Sequence, residues 1–133
     1  MAGETSLATL LRGMSPQLND GEYVFCSIRD GHLPKDCDVI GSFREQEGLT
    51  VILERGQAEK AGFSFDYVAA WITLNVHSAL EAVGLTAAFA SALGQAGISC
   101  NVIAGYYHDH LFVGQADAER AMTVLRQLAA GAE

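Results

Sequence analysis

Alternating strand and helix patterns between residues 71 and 113 constrain the fold more than any other part of the chain. Apolar and polar residues alternate over residues 71–76, as in a strand with one buried face. A helical pattern follows at residues 84–95, and residues 98–104 and 110–113 then form a predicted hairpin. Strand, helix, strand and hairpin partner in this order predict a ferredoxin-like α+β unit.

The first half of the chain predicts a comparable set of short elements. In order, these are a helix at residues 7–14, strands at 22–28, 39–43 and 49–53, a helix at 57–61 and a strand at 63–68. Gly62 is placed to end the second of these helices, and Asp117 to begin the last helix of the chain. A length of 133 residues allows either one core or two small units that share a sheet.

Charge is scarce in the second half, although the chain as a whole is acidic. The formal net charge of −8 excludes nucleic acid and an anionic membrane as partners, because both attract clustered Lys and Arg. Between residues 67 and 108 Glu81 is the one formally charged residue, whereas residues 1–66 hold eleven acids and six bases. A segment with so little charge is expected to be buried or to face another subunit, so we expect a homo-oligomer.

Several sequence features favour a cytoplasmic location. Glu4 stands where a signal peptide needs a basic residue, and the apolar run at residues 7–11 is short for a signal sequence. Three cysteines, Cys26, Cys37 and Cys100, form no CxxC motif, which favours reduced thiols over a disulfide with one free thiol. The sequence has no P-loop, GxSxG, GxGxxG or HExxH motif, so we predict neither a cofactor nor an enzyme.

Longer stretches of the sequence resemble a known family. The runs VHSALEAVGLTAAFASAL at residues 76–93 and GISCNVIAGYYHDHLFV at 97–113, with DAERA at 117–121, are similar to ACT domains. The resemblance extends to the regulatory domains of aspartate kinases and is strongest to small bacterial tandem-ACT proteins. In those, the first half carries runs like GEYVF at 21–25 and FREQEGLT at 43–50.

This resemblance implies a fold, a ligand and a partner. The fold is α+β, with two ferredoxin-like units in tandem at residues 1–68 and 69–133, each an antiparallel sheet with helices on one face. The family further implies that such units dimerise, bind an amino acid where the loop after the first strand meets the first helix, and regulate an enzyme. The ligand-binding residues expected on this basis are His77, Ser78, Glu81, Val83, Gly84, Leu85, Asn101 and Ile103.

Elementary chemistry supports a ligand loop at residues 77–83. Backbone N–H groups at a helix start attract a carboxylate, and Gly84 lets the backbone approach a ligand closely. Glu81 can accept hydrogen bonds from an α-ammonium group, and Asn101 on the adjoining strand offers both donors and acceptors.

A plain helix cap is the alternative interpretation of the same residues. Ser78 and Glu81 fit a capping box, in which both side chains satisfy N–H groups at the helix start. The helix then begins near Ala79 and contains Gly84, at a cost of about 1 kcal/mol relative to alanine. The sequence leaves both interpretations open, and the resemblance favours the ligand loop.

Two further motifs have weaker chemical interpretations. His108 and His110 form an HxH pair that would place two imidazoles on one strand face, with His77 as a third metal ligand. This triplet lies where the hairpin should turn, however, and nothing in the sequence places His77 near it, so no metal site is predicted. Arg44 is interpreted as a solvated hairpin charge rather than as a partner for a ligand carboxylate.

Three functional hypotheses follow. The first is a non-catalytic regulatory module that binds a small molecule, most plausibly an amino acid. The second is a protein-interaction module that oligomerises or binds a regulated enzyme without any ligand. The third, the weakest, is a metal-dependent enzyme that uses His108 and His110.

Overall fold

The computed structural model describes residues 6–76 and 84–131. Within these ranges the helices are α1 (Leu7–Gly13), α2 (Arg55–Ala61), α3 (Leu85–Gln95) and α4 (Ala118–Ala130). The strands are β1 (Ser15–Leu18), β2 (Tyr23–Ile28), β3 (Val39–Glu45), β4 (Gly48–Glu54), β5 (Val68–Asn75), β6 (Cys100–Ala104) and β7 (Asp109–Gly114). No helix in the described part of the chain has the length and apolarity needed to cross a membrane.

Two compact units divide these elements. The small unit is Asp20–Ala69, and the large unit combines Met1–Asn19 with Ala70–Glu133. The boundary falls inside β5, whose first two residues pair with β2 while its later residues pair with β1. The predicted domain boundary between residues 68 and 69 stays a prediction. In the structure α1 and β1 contact elements of the large unit, because β1 pairs with β5 and α1 packs against α3 and α4.

The small unit is an antiparallel sheet with one helix. Its strand order is β3-β4-β2 followed by the start of β5, where Tyr23 pairs with Ala69. Val24, Val51 and Leu53 are fully buried and pack with Ala58 of α2. The helix ends at Gly62, whose φ of 78° favours glycine.

The large unit is a ferredoxin-like sheet in the order β1-β5-β7-β6. The strand, helix, strand and hairpin predicted from residue 71 onwards are confirmed as β5, α3, β6 and β7. Alternate residues of β5 and β7 form one buried face, against which α3 and α4 pack. This core contains the fully buried side chains of Leu10, Ala70, Ile72, Leu74, Phe89, Leu93, Leu111, Val113, Ala121 and Leu125. The predicted α+β fold of tandem ferredoxin-like units is therefore confirmed.

Three local predictions differ from the structure. Residues 63–67 do not form a strand; the fourth strand of the small unit is the start of β5 instead. The strand β1 was not predicted, because Pro16 suggested a helix stop, yet Ser15–Leu18 pairs with β5 at residues 72–75. Gly84 lies outside α3 as its N-cap rather than within the helix, so the interpretation that placed it inside is wrong for α3.

Candidate functional site

Half of the predicted ligand site lies outside the described residues. These positions are His77, Ser78, Glu81 and Val83. Of the remaining four, Gly84 and Leu85 lie at the start of α3, where the Leu85 side chain is buried in the core of the large unit. Leu85 can therefore offer a ligand its backbone N–H but not its side chain.

The backbone at Gly84 explains why glycine occupies this corner. Its φ is 99° and its ψ is −20°, a conformation that side-chain-bearing residues rarely adopt. A Cβ built on Gly84 would lie 3.3 Å from Cδ2 of Leu7, so α1 covers this side of the corner. No side chain of the described residues caps the N-terminus of α3. Helix-start N–H groups without a side-chain cap are the kind of group that an anion satisfies.

Asn101 and Ile103 lie on a different surface. They pair across the hairpin with Phe112 and His110, so all four side chains share one face of the sheet. Their neighbour Val102 packs with the core on the opposite face. The structure thus places Asn101 and Ile103 on the sheet face away from the helices, and Gly84 within the helix layer.

A hydrogen-bonded cluster occupies that outer face of the sheet. Trp71 Nε1 donates to His110 Nδ1 at 3.1 Å, and Thr73 Oγ1 lies 3.3 Å from the same nitrogen. Asn19 Nδ2 donates to Thr73 Oγ1 at 3.0 Å and lies 3.2 Å from the Trp71 carbonyl oxygen. Because an indole N–H can only donate, Nδ1 of His110 must accept, and the proton of the neutral imidazole is on Nε2. The cluster therefore fixes His110 in its neutral form.

The sequence contains a signal for part of this cluster. Period-two alternation along β5 puts Trp71 and Thr73 on one face, and the hairpin register puts His110 there too. Asn19 had no such signal, because it reaches the cluster from the end of the unpredicted β1.

The hairpin tip and the end of β5 meet at the same end of the sheet. His108 Nδ1 lies 3.4 Å from the carbonyl oxygen of Val76, the last described residue before the predicted ligand loop. The sequence had left open whether these two ends lie at opposite ends of the sheet. His108 thus contacts the residue that directly follows β5.

Burial sets the ionisation of two residues at this end. It lowers the pKa of His110, and His108 lowers it further while Asp109 opposes the change. Burial raises the pKa of the Asp109 carboxyl, against the opposing effect of the two histidines. No charged side chain is present on β1, β5 or β6, and among the described residues His108 and Asp109 are the charged groups that shift the pKa of His110.

Lowering the pH is expected to destabilise the protein through His110. The unfolded residue titrates near its ordinary value of 6.5, whereas the folded residue binds a proton only at lower pH. The contribution of His110 to the free energy of unfolding should therefore be fully present above pH 6.5 and decrease as the pH falls from 6.5 through the folded pKa. Urea unfolding across this range measures the slope.

Two variants test whether His110 causes this dependence of the free energy of unfolding on pH. His110→Gln can still accept from Trp71 and should remove most of the pH dependence. His32→Gln, at an exposed histidine near Asp30, should leave it unchanged. Equal slopes in wild type and His110→Gln would contradict the assignment. The raised pKa of Asp109 acts in the opposite direction, because the folded state holds that proton more tightly.

The histidine pair can be compared with what a metal site requires. Both Nδ1 atoms already contact protein groups, His110 at Trp71 and His108 at Val76. Among residues 6–76 and 84–131 no group of three His, Cys, Asp or Glu side chains could hold a metal ion. His77, the third ligand considered from the sequence, lies outside these ranges.

Comparisons with known proteins agree with this architecture. Two models of the ACT-domain family match the sequence, at residues 2–70 and 67–127. ACT domains are regulatory rather than catalytic modules. A comparison with curated proteins gives no match.

Solved structures give the same fold. A Vibrio cholerae protein of unknown function, described as a possible transport protein, is 49% identical, with a TM-score of 0.82 over 94% of this chain and 97% of that one. The regulatory subunit of Thermus thermophilus aspartate kinase is 11% identical, with a TM-score of 0.56 over 86% and 95% of the two chains. Escherichia coli aspartokinase III, solved with aspartate and ADP, is 12% identical, with a TM-score of 0.61 over 90% of this chain and 33% of the enzyme. On the extent of the family match and the 49% identity, this chain belongs to the ACT-domain family and carries two ACT domains in tandem.

Proposed function

We propose that this chain is a non-catalytic regulatory module that binds a small molecule, an amino acid, at the corner between β5 and α3. The observation that supports this most directly is the start of α3. Its N-cap is a glycine, and no side chain of the described residues accepts from its first N–H groups. Those N–H groups, at the positive end of the helix macrodipole, suit the carboxylate of an amino acid.

The loop at residues 77–83 supplies the rest of the proposed site. In this proposal Glu81 binds the α-ammonium group, while His77, Ser78 and Val83 surround the ligand. His108 contacts the carbonyl oxygen of Val76, the residue that precedes this loop in the sequence. Asn101 and Ile103 lie on the outer sheet face, so their proposed role requires the ligand to extend past the end of β6.

The chemistry of the chain suits a reducing compartment, and we propose the cytoplasm. Cys26, Cys37 and Cys100 are all free thiols. Burial raises the pKa of Cys100 to about 11 and also raises that of Cys26, so both remain protonated and weakly nucleophilic.

Amino-acid binding is expected to raise the melting temperature. A ligand in hundredfold excess over its Kd adds about 2.7 kcal/mol to the free energy of unfolding. A thermal-shift panel of the common amino acids at millimolar concentration should therefore show a rise for one or a few of them. Glu81→Gln should remove that rise, because the ammonium group loses its anionic partner.

The control for this experiment is another glutamate of the same chain. Glu119→Gln changes an exposed residue in the first turn of α4 and should keep the full response. A flat response of the wild-type protein across the whole panel would argue against amino-acid binding. A response that survives in Glu81→Gln would place the ligand elsewhere.

A second function, as an interaction module, is favoured by one surface. The strand β6 ends the order of described strands and carries no charged side chain. Ile103 on this strand is 39% exposed, and Tyr106 and Tyr107 beyond it are 75% and 63% exposed. Uncharged, partly apolar edges pair readily with other chains, a second copy or a regulated enzyme. Light scattering without ligand tests it, and a strictly monomeric protein would count against self-association.

A further inference from the structure

The small unit has a loop where the large unit has a helix. In the large unit the connection from β5 to β6 contains α3. In the small unit the corresponding connection from β2 to β3 is the ten residues 29–38, which form turns and no helix. Within Asp20–Ala69 only α2 therefore packs on the helix side of the sheet.

A cavity of about 570 Å³ lies beside this loop. Its lining residues are Gly31, His32, Leu33, Ser42, Phe43, Arg44 and Leu49. Ser42 and Arg44 pair with Val51 and Leu49, two buried residues of the core, so their side chains point to the helix side of the sheet. The volume falls in the range of small-molecule sites.

Arg44 gives this cavity a positive charge, in a chain whose formal net charge is −8. The sequence holds 16 acids and 8 Lys and Arg residues. Among the residues that the structure describes, two of these eight cations, Arg55 and Arg120, form ion pairs, and Arg44 belongs to the other six. Arg55 contacts Glu22 at 3.0 Å, and Arg120 contacts Asp117 at 3.0 Å. Arg44 has no carboxylate within ion-pair distance among the residues that the structure describes.

No acidic side chain lines the cavity either. The two nearest in sequence already accept hydrogen bonds. Asp30 accepts from the backbone N–H of His32, a lining residue, and so lies next to the cavity, whereas Glu45 accepts from Thr50. The lining thus combines a guanidinium without an ion-pair partner, a hydroxyl from Ser42, and the apolar side chains of Leu33 and Leu49.

We propose that this cavity binds a small organic carboxylate that has an apolar body and no ammonium group. Arg44 provides a planar fork of N–H donors that fits a carboxylate through two hydrogen bonds, and Ser42 adds a third donor. Leu33 and Leu49 contact the apolar body. The lining has no anionic partner for an α-ammonium group. An amino acid with the same apolar group should therefore bind more weakly than the carboxylate without the ammonium group. This site is separate from the one proposed at α3 and does not depend on it.

The test compares two ligands that differ at one group. The probes are 4-methylpentanoate and leucine, which carry the same apolar branch but differ in the α-ammonium group, with acetate as the carboxylate alone. Titration of the isotope-labelled full chain, followed by NMR, reports binding at the backbone amides of Gly31, Ser42 and Leu49. We expect saturable shifts with 4-methylpentanoate and affinities at least about tenfold lower for leucine and acetate.

Two arginine variants complete the test. Arg44→Gln changes an exposed side chain, so the chain should keep its melting temperature while the affinity falls about tenfold or more through loss of the charge-assisted bonds. Arg126→Gln, an exposed arginine on α4 without an ion pair among the described residues, should bind as the wild type does. Absence of saturable shifts at the three amides would overturn the proposal, as would unchanged affinity in Arg44→Gln. If leucine bound as tightly as 4-methylpentanoate, the claim that the cavity disfavours an ammonium group would be overturned. If acetate bound as tightly, the role of the apolar lining would be overturned.

Discussion

Replacing Phe89 with alanine is expected to lower the free energy of unfolding by about 3–5 kcal/mol. Phe89 is fully buried at the centre of α3 and packs in the core of the large unit. The substitution removes the apolar contacts of a whole ring and leaves a cavity that the sheet and α4 can only partly fill. A loss of this size is a large fraction of the stability of an ordinary domain. Urea unfolding followed by circular dichroism measures it.

A second phenylalanine provides the matched control. Phe43 is 73% exposed on β3, so Phe43→Ala should change the free energy of unfolding by no more than about 0.5 kcal/mol. Similar losses in the two variants would mean that α3 does not pack on the sheet as the structure has it. Because α3 also begins at the candidate ligand corner, Phe89→Ala should weaken amino-acid binding only through the loss of folded protein.

Replacing Gly84, the N-cap of α3, and Gly94, inside α3, with alanine is expected to change the free energy of unfolding in opposite directions. Gly84→Ala forces a side chain into a backbone with φ of 99° and brings its Cβ to 3.3 Å from Leu7, at a cost of about 1–2 kcal/mol. Gly94→Ala lies inside α3, where an added Cβ meets nothing within 4 Å, and should stabilise by about 0.5–1 kcal/mol. Chemical denaturation of both variants without ligand measures the difference.

A double variant separates the two causes of the Gly84 effect. Leu7→Ala combined with Gly84→Ala removes the steric contact but keeps the unfavourable backbone conformation. The cost of Gly84→Ala should therefore shrink in this background without disappearing. Equal stability of Gly84→Ala and wild type would contradict the backbone conformation at the corner. The glycine thus stabilises the fold whether or not a ligand binds, which makes Glu81 the better position at which to test binding.

The sequence predicted the second half of the fold better than the first. Strong periodicity identified β5, α3 and β7, because each has one fully buried face whose apolar residues recur at the period of its structure. The strand β1 has only four residues and includes Pro16, which removes one backbone donor. Its strand conformation depends on pairing with residues 72–75, a long-range contact that local pattern cannot reveal.

The candidate site was predicted in part, for similar reasons. The loop and Gly84 were predicted from the resemblance to ACT domains, and the site there stays a prediction; the φ of 99° at Gly84 is one that favours glycine. The face on which Asn101 lies could not be assigned until the register with Phe112 was known. Arg44 was interpreted as a solvated charge, and its side chain is exposed in the structure. The cavity beside it brings together residues of a loop and of two strands, which local pattern cannot reveal.

The position of β1 has a consequence for biosynthesis. This strand leaves the ribosome before the small unit, but its partner in β5 emerges only after the entire small unit has been made. The small unit, Asp20–Ala69, is continuous in sequence and can form its sheet while later residues are still being added. During that interval α1 and β1 have no sheet or helix of their own unit to contact, and the apolar residues Leu10, Leu11 and Met14 remain exposed to chaperones until β5 and α4 have been synthesised.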